Sequence, residues 1–189
     1  CLTKFTNVKV GDYIEFGAYE QDNNTSNGKE AVEWLVLDVK DEKILVISKY
    51  ALDYKRYNEK PNVLSWKTSS LREWLNGDFI KATFAPAEKA MIPKVTILAS
   101  EGYDNVIVPN DVTEDQIFLL SVNEADEYFS SNSERQCEPT AFAVANGTKF
   151  GDITNYWLLR SPDLRLSFIA YFFIDGDNGE LGYDVYDDE

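Results

Sequence analysis

Histidine is absent from this 189-residue chain, and the absence excludes whole classes of chemistry. Without an imidazole there is no Ser-His or Cys-His nucleophile, no His-ligated zinc and no histidine pH switch. Cysteine is nearly absent too. Only Cys1 and Cys137 occur, with no CxxC pair or other ligand cluster, so no metal site and no cofactor are expected. A Cys1–Cys137 disulfide stays open, because sequence spacing does not establish pairing. Basic residues are scarce, 18 Lys plus Arg against 33 Asp plus Glu, for a formal charge of -15. Phosphate backbones and anionic lipids do not attract so acidic a surface, so no nucleic-acid partner is expected. Long apolar runs are missing as well. None approaches the roughly 18 residues of a membrane span.

What remains is an ordinary soluble composition, 44% hydrophobic and 14% aromatic, in a length that fits one domain over 1–189. Residues 1–9 read as a candidate tether. Val10 to Phe16 reads as an entry strand ending at Gly17. The clearest hairpin joins Val32–Val39 to Ile44–Ser48 across a tight turn at Asp41-Glu42, and both arms are apolar enough to be covered on two faces. Ser70-Leu71-Arg72-Glu73 has the form of a capping box, followed by a Leu71, Trp74, Leu75 stripe and a stop at Gly77. Ser121-Val122-Asn123-Glu124 repeats the device, with Val122, Ala125 and Phe129 as its stripe. A short helix from Pro86 to Met91 is expected, and strands at Val95–Leu98 and Gln116–Leu120. Near the C-terminus, Phe168–Ile174 reads as a strand that turns at Asp175–Gly179 to a partner starting near Leu181.

Several constellations invite chemistry and fail on spacing. Asp175-Gly176-Asp177-Asn178-Gly179-Glu180 puts glycine at position 5 and glutamate at position 6, where a calcium loop needs glycine at 6 and glutamate at 12, so a solvated turn is the better reading. Cys137 has only Arg135 near it in sequence, too little to stabilise a catalytic thiolate. Carboxylates are so abundant that a glycosidase-like pair would arise by chance. Tyr156-Trp157-Leu158-Leu159-Arg160 sets a guanidinium among aromatics, either as a structural stacking pair or as half of a ligand site. Tyr156, Trp157, Arg160, Asp163, Arg165, Tyr171, Tyr183 and Tyr186 are the candidate ligand-binding residues, since aromatics and arginine dominate binding hot spots. Strand alternation allows only about half of them to share a face.

Across nearly the whole chain, a set of blocks resembles a bacterial family of uncharacterised domains with a Trp-Leu-Arg-Ser-Pro signature. The blocks are Val10-Gly11-Asp12-Tyr13, Glu33-Trp34-Leu35-Val36-Leu37, Ser70-Leu71-Arg72-Glu73-Trp74-Leu75-Asn76, Cys137-Glu138-Pro139-Thr140 and Leu159-Arg160-Ser161-Pro162. The tail is similar to that of C-type-lectin-like and formylglycine-generating-enzyme-like domains. That resemblance implies an α+β, C-type-lectin-like fold, with two main helices packed on antiparallel strands and hairpins. Asn155 stands where a cysteine is common, which would leave Cys137 unpaired, and the reactive cysteines of the enzymes have no counterpart. A closing Val-Arg-Pro strand is also missing. The expected function is therefore a non-catalytic ligand-binding domain for a protein or glycan, not an enzyme. A carboxylate-based glycan hydrolase and a purely structural module are the alternatives. An extracellular or cell-surface location is expected, with Cys1 a candidate lipidation site; an arbitrary cut of a longer chain would give the same first residue.

Overall fold

A computed structural model of the chain describes residues 5, 7–59, 65–98, 112–147, 156–162, 168–173 and 183–184. Its first strands, β1 (Tyr13–Tyr19), β2 (Glu30–Lys40) and β3 (Lys43–Ser48), form an antiparallel sheet in the order β1-β2-β3. The expected hairpin is present. Asp41 and Glu42 both take positive φ, 50° and 60°, which matches the twist that a two-residue hairpin turn requires. β1 starts at Tyr13, not Val10, and continues past Gly17. Gly17 lies in a register shift at φ 75°, where a Cβ would sit 2.7 Å from the Phe84 ring. Only glycine allows that approach.

β2 is covered on both faces. Val32 and Trp34 join Leu71, Leu75, Phe79, Ile80 and Phe84 in one core, while Leu37 joins Val122, Ala125, Phe129 and Leu159 in a second. The helix expected at Ser70 forms with different ends. Its first segment, α1 (Ser70–Trp74), is capped by Ser69, whose Oγ accepts the Arg72 N–H at 3.1 Å. Ser70 instead accepts the Glu59 N–H at 2.8 Å and donates to the Tyr57 carbonyl at 3.3 Å. Gly77 does not end the helix: a π turn, Leu75–Phe79, carries it into α2 (Ile80–Thr83). Glycine costs a helix interior about 1 kcal/mol, whereas burying Phe79 and Ile80 contributes about 1.5–3 kcal/mol each. Burial wins.

α3 (Pro86–Lys89) forms with proline in its first turn, and β4 (Val95–Leu98) pairs with β5 (Val112–Asp115). The strand expected at Gln116–Leu120 is absent, because side chains take its backbone groups. Asn76 Oδ1 accepts the N–H groups of Gln116 (2.8 Å) and Ile117 (3.2 Å), and the Arg160 guanidinium donates to the Leu119 carbonyl, while the Arg160 backbone N–H donates to the Leu120 carbonyl. α4 (Val122–Tyr128) has the capping box read from Ser121 and Glu124. α5 (Ala141–Gly147), an alanine-rich segment capped by the Thr140 hydroxyl at 3.1 Å, was not anticipated. β6 (Tyr156–Pro162), β7 (Phe168–Phe173) and β8 (Tyr183–Asp184) make a second three-stranded antiparallel sheet. The chain is thus a mixed α and β protein with antiparallel strand pairs. No described helix is long and apolar enough to cross a membrane.

Candidate functional site

Two grooves lie on either side of the α1 helix and share Glu73 and Gly77 in their walls. The larger, about 580 Å³, includes Lys67, Arg72, Asn76, Lys94, Glu114 and Asp115. The smaller, about 400 Å³, includes Lys55, Arg56, Glu59, Trp74, Asp78 and Lys81. Six of the chain's 18 basic residues (Lys55, Arg56, Lys67, Arg72, Lys81, Lys94) line these grooves. Each groove balances its cations with carboxylates, so this surface escapes the acidic excess of the rest and presents donors and acceptors together.

In the larger groove Arg72, Asn76 and Asp115 are already committed to internal partners. Asp115 is fully buried. It accepts from Arg72 Nε at 2.8 Å, Trp66 Nε1 at 2.9 Å and Thr113 Oγ1 at 2.7 Å. Arg72 Nη2 lies 2.7 Å from the same carboxylate. Asn76 acts as a surrogate backbone unit: its Nδ2 donates to the Arg72 and Ile117 carbonyls at 3.1 and 2.8 Å. These partners explain why a Leu-Arg-x-x-Leu-Asn order serves this fold, and they leave little for a ligand.

The smaller groove is different. Trp74 is half-buried there, with Lys55 Nζ 5.0 Å above its ring and Phe79 5.1 Å away. Of the four indoles, Trp34 donates to the Phe16 carbonyl, Trp66 to Asp115 and Trp157 to the Arg135 carbonyl. Among the described residues the Trp74 indole N–H has no acceptor. Lys55, Glu59, Glu73, Asp78 and Lys81 around it are exposed. A Cβ at Gly77 would meet nothing within 4 Å, so the missing side chain keeps the groove floor open.

Arg160 is a correction to the expected site. It is 1% exposed. Its Nε donates to the Leu98 carbonyl at 3.1 Å, Nη1 to the Leu119 carbonyl at 2.7 Å, and both Nη1 and Nη2 to Glu124, the latter at 2.7 Å. Glu124 also accepts the Ser121 N–H at 3.0 Å, and Ser161 Oγ accepts the Val122 N–H at 3.0 Å. The Arg-Ser pair therefore clamps β6 onto the start of α4. A guanidinium so occupied is not an open-face ligand group.

A sequence profile for a domain of unknown function (DUF6273) matches residues 41–184, which hold both grooves and the Arg160 clamp. The chain belongs to the DUF6273 family. No curated protein and no solved structure matches it.

Of the other expected site residues of this DUF6273 chain, Trp157 is half-buried against the second core with its indole N–H bonded internally. Tyr156, Tyr171 and Tyr183 are placed by backbone register alone, at Tyr156↔Phe173, Leu158↔Tyr171 and Ile169↔Tyr183. Asp163, Arg165, Tyr186, Cys1 and the Asp175–Glu180 turn lie outside the described residues. Trp74 escaped the sequence reading because its position fits an apolar helix stripe. The nearby signal was the Lys55-Arg56 pair, unusual in so acidic a chain.

Two further groups bear on chemistry. Cys137 is a free thiol whose pKa is pushed up to about 11, chiefly by burial. Thiolate forms only as pH rises toward that value, so alkylation of native protein at pH 8 should run roughly a hundredfold slower than for an exposed thiol. Equal rates for native and urea-unfolded protein would contradict this burial. The carboxylates of Glu20, Asp22 and Glu30 lie with one oxygen each within 4.8 Å of the others. They are held by the Asn24 and Gln21 N–H groups and the Asn27 amide. Burial pushes Glu20 up, while the Asn27 amide holds Asp22 down.

Proposed function

We propose that this DUF6273 domain is a non-catalytic ligand-binding module that holds glycans in the groove floored by Trp74. The observation that carries the reading is the Trp74 indole, an aromatic edge with an uncommitted N–H, ringed by exposed lysines and carboxylates. Sugars can use that combination, an apolar aromatic edge with donors and acceptors at its rim. The absence of histidine and the protonated Cys137 support a binding role over a catalytic one. A cell-surface location and a C-type-lectin-like architecture accompany this reading as proposals drawn from the sequence resemblance.

Glycan-array binding of the whole chain tests it, with Gly77→Gln and Lys81→Ala beside the wild type. Gly77→Gln fills open space and replaces a poor helix former, so its unfolding midpoint should hold or rise. Both variants should bind about tenfold or more weakly, as loss of a central contact implies. Undiminished binding by both would place the site elsewhere, and turnover of a bound glycan would make the domain an enzyme.

A further inference from the structure

The chain contains four Asn-Gly dipeptides, at Asn27, Asn76, Asn146 and Asn178, and the structure treats three of them very differently. Asn27-Gly28 lies on the exposed loop between β1 and β2, with Gly28 at φ 98°. Gly28 has no side chain to hinder approach, and among the described residues its backbone N–H has no acceptor. The Asn27 amide Nδ2 donates to Asp22 Oδ2 at 2.7 Å. By contrast, Asn76-Gly77 lies inside the π turn with both ends of the Asn76 amide bonded. Asn146-Gly147 lies in α5, with Asn146 Nδ2 bonded to Asp53 at 2.8 Å.

We propose that Asn27-Gly28 is a spontaneous modification site, at which the Asn27 amide is converted to aspartate or isoaspartate. The Gly28 backbone nitrogen attacks Asn27 Cγ and gives up its proton as the N–Cγ bond forms. The Cγ–Nδ2 bond then breaks and the nitrogen leaves as ammonia, closing a succinimide. Water opens that ring at either carbonyl, so the net change is one water gained and one ammonia lost. Asp22 sits where positive charge develops on the departing nitrogen, and its carboxylate stabilises that charge. Gly28 supplies the free nucleophile that helical Gly77 and Gly147 lack, since helix interiors commit their N–H groups along the axis.

The product changes the loop. A hydrogen bond from Asn27 to Asp22 becomes a carboxylate beside Glu20, Asp22 and Glu30, already within 4.8 Å of one another. Repulsion replaces attraction, and the protein becomes one charge more negative than its formal -15.

Peptide mapping by mass spectrometry, after ageing the full chain in mildly alkaline buffer, reads the rate at each site. Asn27 should gain the one-dalton shift and isoaspartate at least about tenfold faster than Asn76 or Asn146, whose reaction waits on local opening. In urea, where no fold protects any of them, the three rates should converge. Asn27→Gln should diminish the acidic species seen on ion exchange, any remainder mapping to Asn178. Modification of native Asn27 no faster than Asn76, or an acidic fraction undiminished in Asn27→Gln, would overturn the proposal.

Discussion

Replacing Arg160 with alanine should cost the fold about 3–5 kcal/mol, the range for removing one partner of a buried ion pair. Three groups lose a partner together: Glu124, already committed to the Ser121 N–H, and the Leu98 and Leu119 carbonyls. Arg160→Lys should recover only part of this, because an ammonium cannot reproduce the fork that spans Glu124 and two carbonyls. Urea unfolding reads the effect as a lower midpoint. An unchanged midpoint combined with lost ligand binding would return Arg160 to the role of a ligand contact.

Asp115→Ala should be of similar size, again about 3–5 kcal/mol. It strips the acceptor from the fully buried Trp66 indole and the buried Thr113 hydroxyl, and it leaves Arg72 without its carboxylate. Asp115→Asn keeps the volume and one acceptor oxygen, so it should cost less. The comparison separates packing from charge. If both variants unfold at the wild-type urea concentration, the network is not holding α1 against the β4–β5 ribbon.

Both predictions concern residues whose chemistry was visible in the sequence and whose partners were not. Local signals were legible: the Asp41-Glu42 turn, the Ser121 capping box and the apolar arms of β2 each depend on a few adjacent residues. The misreadings came from distant side chains. Gln116–Leu120 looks like a strand until Asn76 and Arg160, some 40 positions away on either side, claim its backbone groups. Gly77 looks like a stop until Phe79 and Ile80 find a core to enter. Arg160 looks like a ligand residue because aromatic neighbours and a guanidinium describe a binding site and a buried clamp equally well. Trp74 looks like core for the converse reason, since helical spacing cannot show that one indole N–H is left without an acceptor.

The four indole N–H signals give the most direct test, because each reports one region of the molecule. A glycan selected on the array should be titrated into nitrogen-labelled protein while those four resonances are followed. The Trp74 signal should shift and saturate with the glycan, while Trp34, Trp66 and Trp157, each already bonded inside the protein, stay in place. A saturating shift of Trp157 with Trp74 unmoved would contradict the groove assignment and move the site to the β6–β7–β8 face.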